Sequence, residues 1–146
     1  MILVDANLLL YAHNEDSPWF EAASTWLNEI AAGSENLALS WLTICAFLRI
    51  STDSRMMPNP LTTAVAAEVV TEWLKNPNVV VLDPGDKHWR IFSQLLLASR
   101  VTGPLVMDAH LAALGIEHDA TVATTDRDFE RFRGLKLVNP LRVGEV

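Results

Sequence analysis

The chain has 146 residues, half of them apolar and a fifth charged, which suits one globular domain spanning 1–146 with a sizeable core. A net charge of −7 argues against a generally basic nucleic-acid binder. The longest uncharged apolar run, residues 36–48, is too short to cross a bilayer, which takes about 20 residues.

The chain opens on MILVDAN with no basic n-region, so a cytoplasmic protein without a membrane partner is expected. Residues 1–4 read as a short buried strand ending at Asp5, followed by Asn7 and a leucine cluster through Tyr11. Ser17-Pro18 reads as a helix start, and Trp19, Ala22, Ala23, Trp26, Leu27 and Ile30 recur at helical spacing up to Gly33. Residues 36–40 read as a second buried strand and 41–50 as a helix carrying the lone Cys45. One cysteine excludes an internal disulfide, and Cys45 is expected to be a small buried apolar residue.

Two prolines and two methionines make 53–61 a loop, and 62–75 follows as an amphipathic helix stopped by Asn76-Pro77. A third strand is expected at 79–82, then a helix over 86–100. Next come a helix over 105–118, a strand over 120–124, a helix start at Asp126 and a last strand at 136–138. Short buried strands alternating with helices predict an α/β fold around a mainly parallel sheet of about five strands.

In such a sheet, ligands collect beyond the carboxyl ends of the strands. Asp5 closes the first strand and Asp126 lies just past the 120–124 strand, so both belong to that edge. Asp108 sits in the first turns of its helix, on one face with Ala112 and Gly115. Small residues there let the helix approach its neighbours and bring a third carboxylate to the same edge. Clustered carboxylates raise one another's pKa, and a divalent cation relieves this. Hard oxygen ligands favour Mg²⁺ or Mn²⁺, the ions of phosphate chemistry. Each acid also has a structural reading: Asp5 as a turn former, Asp108 or Asp126 as an N-cap, and Asp128 as a first-turn residue facing the helix dipole. His110 and His118, on a largely apolar helix, read as structural, and no zinc-like spacing or Gly-rich phosphate loop occurs. No Lys or Arg precedes Arg49, and all but Arg49, Arg55 and Lys75 lie from Lys87 onward. An acidic half beside a basic end suits a carboxylate site with a phosphate-contacting rim.

Four segments together resemble the PIN-domain ribonucleases, specifically the VapC-type toxins: LVDANLLLYA at 3–12, AFLRISTDSRMMPNPLT at 46–62, DAHLAALGIEHDATVATTDRDFERF at 108–132 and GLKLVNPL at 134–141. The resemblance implies a three-layer α/β/α sandwich, an acidic Mg²⁺ or Mn²⁺ site and endonucleolytic cleavage of RNA. It implies catalytic and metal-binding roles for Asp5, Asp108 and Asp126. Asp128 matches an auxiliary acid, Asn7 and Thr124 match residues that orient the carboxylates, and Arg49 matches a common arginine. It also implies a homodimer and inhibition by a cognate antitoxin. One departure stands out: where the family often has glutamate in E-F-L-R, this chain has Ala46, with Glu21 a conceivable substitute. The expected function is therefore a metal-dependent endoribonuclease toxin using a metal-activated water. The alternatives are a nuclease-dead PIN fold that binds RNA or protein, and another Asp-based phosphoryl-transfer enzyme, which would lack the D-x-D-x-T nucleophile motif of phosphatases.

Overall fold

The computed structural model describes residues 1–142. Strand β1 (Ile2–Val4) leads into helix α1 (Ala6–Ala12), and α2 (Phe20–Ala32) precedes β2 (Leu37–Leu39). Helices α3 (Trp41–Ser51) and α4 (Thr63–Lys75) are followed by β3 (Val79–Val81), α5 (His88–Ala98) and α6 (Leu105–Glu117). Strand β4 (Thr121–Ala123), a 3-10 turn (Arg127–Arg131) and β5 (Lys136–Val138) complete the described chain.

The five strands form one all-parallel sheet in the order β3-β2-β1-β4-β5. Alternation along each strand sorts its side chains between two cores. Leu3, Ala38 and Val122 face α5 and α6, while Val4, Leu37, Leu39 and Ala123 face the side packed by α1 to α4. This is the expected α/β/α sandwich. Leu3, Val4, Ala38, Leu39 and Val122 are fully buried, which is why the strands read as continuous apolar runs.

Most elements begin where local chemistry says they should. Ser40 caps α3 by accepting from the Thr43 N–H at 3.1 Å, and Thr62 caps α4 by accepting from Val65 N–H at 3.2 Å. The leucine cluster is helical, with Asp5 as its N-cap. The Ser17-Pro18 helix start is corrected: α2 begins at Phe20, because Ser17 Oγ accepts from the Trp19 N–H at 3.1 Å and closes a separate turn first. Cys45 is exposed rather than buried, since the inward face of α3 is taken by Ile44 and Phe47.

The close approach of α6 to the sheet is explicit. A Cβ built on Gly115 would stand 2.9 Å from Val122 Cγ2, and Ala109, Ala112 and Ala113 are fully buried. Any larger residue on this face would push α6 away from β4, and Asp108 with it.

Candidate metal centre

The sheet order reverses between β1 and β4: from β1 the chain first builds outward through β2 and β3, then returns to place β4 on the other side. Ligand crevices in open α/β sheets form at this kind of switch point. Val4 pairs with Ala123, so the next residues, Asp5 and Thr124, leave the sheet side by side. Asp5 N–H still donates to Ala123 O at 3.0 Å, which keeps the two strand ends in register.

Each oxygen of the Asp5 carboxylate accepts one hydrogen bond and keeps a further lone pair. Oδ1 accepts from Ala6 N–H at 2.8 Å and Oδ2 accepts from the Thr124 hydroxyl at 2.8 Å. Thr124 Oγ1 in turn accepts from Asp126 N–H at 3.0 Å and from Asn7 Nδ2 at 3.4 Å. One hydroxyl thus links the ends of β1 and β4 and sets the backbone that presents Asp126. Asn7 Oδ1 is buried with no hydrogen-bond partner among the described residues.

Asp108 does not cap α6. The helix starts at Leu105 behind Pro104 and has no side-chain cap, which leaves the Asp108 carboxylate unspent. Asp126 does cap the 3-10 turn, accepting from Asp128 N–H at 2.9 Å. Oxygens of Asp108, Asp126 and Asp128 lie within 4.8 Å of one another. Asp5 stands beside this trio and shares a cavity wall with Asp108. Arg131 reaches Asp128 Oδ1 at 3.3 Å, an i,i+3 contact along the 3-10 turn that the spacing of the two residues allows and the sequence reading did not single out.

The electrostatics follow from this crowding. The Asp108 carboxyl is pushed up to about 6, first by burial and then by the charges of Asp126, Asp5 and Asp128, with Arg131 opposing. Burial also raises Asp5, although the Thr124 hydroxyl and Ala6 N–H pull it down. Like charges this close are unfavourable unless a proton or a cation intervenes. The donor set is all hard oxygen, and an orphaned buried amide oxygen stands next to it. Both features fit a small divalent cation better than a zinc or copper site.

Two further features surround the acids. A cavity of about 290 Å³ opens between α3 and α6, walled by Leu42, Ala46, Met107 and Leu111, with Asp5 and Asp108 on one side and the exposed Arg49 on α3. Ala46 faces this cavity, so a carboxylate at that position would have opened on the same space as Asp108. Glu21 is exposed on α2 and is not among the residues lining the acid site. On the other side of Asp126, a smaller cavity of about 160 Å³ is lined by Arg127 and Arg142. Basic groups therefore flank the acids, as the charge distribution suggested.

Four neighbouring carboxylates at the switch point of a parallel sheet define an α/β protein with an acidic site. The PIN domain family model matches residues 2–135, and the chain belongs to the PIN-domain family. It is similar to Ribonuclease VapC33 of Mycobacterium tuberculosis, with 41% identity over 97% of this chain and 99% of that protein. Ribonuclease VapC37 of the same organism is 36% identical over 96% of this chain and 97% of its own length. The fold resembles that of VapBC-1 from nontypeable Haemophilus influenzae, at a TM-score of 0.70, 15% identity, and coverage of 97% of this chain and 100% of that one. It also resembles VapBC2 from Rickettsia felis bound to a DNA fragment from its promoter, at a TM-score of 0.69, 19% identity, and coverage of 95% and 98%.

Proposed function

We propose that this chain is the toxin of a toxin–antitoxin pair and acts as a Mg²⁺- or Mn²⁺-dependent endoribonuclease. The single observation that carries the reading is the convergence of Asp5, Asp108, Asp126 and Asp128 at the switch point, with the Asp108 carboxyl pushed up to about 6. The ribonuclease names of relatives up to 41% identical along nearly the whole chain support the substrate class.

Asp5, Asp108 and Asp126 would hold the cation, with Asp128 beside them. When bound, the cation polarises the phosphoryl oxygen, lowers the pKa of a water and stabilises the leaving oxygen. The chain's own residues do the rest. Thr124 holds Asp5 in one orientation through its hydroxyl, and Asn7 supports that hydroxyl. Arg49 on one flank and Arg127 on the other contact RNA phosphates, while the apolar wall of Leu42, Met107 and Leu111 keeps bulk water away from one side of the acids. The protein works as one domain over 1–146, in the cytoplasm, as a homodimer held inactive by its cognate antitoxin.

A second reading rests on Ala46, which offers no carboxylate to the cavity: a PIN fold kept for binding RNA or a protein partner. Incubation of the purified protein with total cellular RNA and Mg²⁺, followed by mapping of new 5′ ends, separates the two. Cleavage that is lost in Asp5→Ala and Asp108→Ala is expected. Unchanged cleavage by both variants, from clean preparations, overturns the mechanism. Absence of Mg²⁺ and Mn²⁺ binding by calorimetry at millimolar concentration, with RNA or antitoxin binding retained, favours the second reading.

A further inference from the structure

Helices α1 and α3 both start at the carboxyl edge of the sheet, capped by Asp5 and Ser40, so both end on the side away from the acid cluster. Between those two ends and the 53–61 loop lies a cavity of about 280 Å³. This is just below the roughly 300–1,000 Å³ common for drug-sized ligands, so it suits a small head group on a short stem. Leu10, Phe47 and Leu61 form its apolar walls.

The polar part of the lining is rich in acceptors. His13 Nδ1 lies 2.9 Å from Leu9 O, and a carbonyl only accepts, so Nδ1 carries the proton and Nε2 keeps its lone pair. Burial lowers the His13 pKa, which keeps the ring neutral. Edge contacts with Phe47 and Trp73, at centroid distances of 5.5 and 5.4 Å, hold the imidazole in place. Ser51 is only 4% exposed, and its hydroxyl has no partner among the described residues. A buried polar group left unpaired is costly, so it calls for an explanation.

At the rim stand Glu15 and Asp16. Asp16 Oδ2 accepts from Asn59 at 2.8 Å, and no bond to Oδ1 or to the Glu15 carboxylate occurs among the described residues. None of the lining residues is Lys or Arg. The arginine of the adjoining loop, Arg55, is tied to Asp53 at 3.1 Å. A ligand for this pocket must therefore bring several donors, a positive charge and an apolar stem. A planar guanidinium meets all three needs, with five N–H donors for the imidazole nitrogen, the hydroxyl and the carboxylates.

We propose that this pocket is a second binding site, independent of the acid cluster, which takes an alkylguanidinium group. The same chemistry arises from a free guanidine or from an arginine side chain of a protein partner, and the experiment distinguishes them. Agmatine and the blocked peptide N-acetyl-Leu-Arg-Leu-amide are titrated separately into the full-length protein at saturating Mg²⁺. NMR follows the His13 ring and the Leu10 and Leu61 methyls, with neutral n-butylurea as control. Saturable shifts with a cation but not with butylurea are expected. Tighter binding of agmatine assigns a free guanidine, and tighter binding of the peptide assigns a protein side chain.

Glu15→Gln removes a rim charge without touching the fold and weakens the cation several-fold. Ser51→Ala weakens it about tenfold, the scale of a lost hydrogen bond to a charged group, while raising the melting temperature of the free protein. A merely structural serine would not separate those two effects. Equal shifts with butylurea, no shift at His13 with either cation, or wild-type affinity in both variants overturns the proposal.

Discussion

Helix α6 carries a carboxylate near each end, and the two are treated in opposite ways. Glu117, at the last position, accepts from Gly85 N–H at 2.7 Å and from Lys87 N–H at 3.0 Å. Those bonds hold its carboxyl below the ordinary value, with His118 and His88 nearby adding to the effect. Asp108, in the first turn, has no hydrogen-bond donor among the described residues and faces three other acids. Its carboxyl is pushed up to about 6. The helix dipole favours negative charge at the start of a helix and disfavours it at the end. Both shifts run against that preference, so direct partners outweigh the dipole here. Glu117 is a satisfied structural clamp between α6 and the loop before α5. Asp108 is a partly buried carboxylate crowded by like charges, with no such clamp among the described residues.

The largest test of that contrast is Asp108→Asn. Cleavage is expected to fall about 100-fold or more, as for loss of a metal ligand, while the metal-free protein melts at a higher temperature because a repulsive charge is gone. A lower metal-free melting temperature would mean that the acids are not strained against one another. Next in size, Thr124→Val turns Asp5 into a second poorly supported acid by removing its hydroxyl donor. Cleavage is expected to drop roughly 10- to 100-fold, the range for residues that orient metal ligands. Equal turnover by this variant, measured on one defined RNA, would remove Thr124 from the account.

On the opposite end of the helix, Glu117→Gln leaves one of two backbone N–H groups without an acceptor. Chemical denaturation should show a loss of about 1–3 kcal/mol with cleavage by the folded protein unchanged. A loss of activity at full stability would show that the clamp is part of the site. The smallest effect is a matter of pH. The native Asp108 pKa of about 6 lies above its ordinary value of 3.8, so the folded protein holds the extra proton between those values. Its contribution to metal-free stability therefore declines as pH rises through that window. Glu117 has the opposite sign: its stabilisation is present above the ordinary value of 4.5 and is lost as pH falls through its lower folded value. Since a cation needs Asp108 ionised, Mg²⁺ affinity should rise about tenfold per pH unit below about 6 and level off above it. Calorimetry in buffers of different ionisation enthalpy reads this as proton release near pH 6, and a flat profile would contradict the shift.

Much of the fold was legible because its signals are local. The strands expected at 79–82 and 136–138, observed at Val79–Val81 and Lys136–Val138, and the helix from Trp41 were marked by prolines, caps and β-branched runs. The edge that would hold Asp5 and Asp126 followed from strand direction alone. Local chemistry misled at Ser17-Pro18, where a real capping hydroxyl serves a turn rather than the helix. Composition misled at Cys45, because burial depends on which face of α3 turns inward and not on the residue's own preference.

The sequence by itself determined the elements, the parallel sheet and the set of acids, since periodicity, caps and strand ends are written within a few residues. Only the tertiary structure decided how those acids are used. Asp5 is oriented by Ala6 and Thr124, Asp108 is left unsupported, and Asp128 joins Asp108 and Asp126 within 4.8 Å. The same holds for the pocket at Ser51 and His13, whose walls come from three separated segments. A carboxylate's pKa or a hydroxyl's lack of a partner depends on atoms a few ångströms away in space, and chain order carries no record of those neighbours.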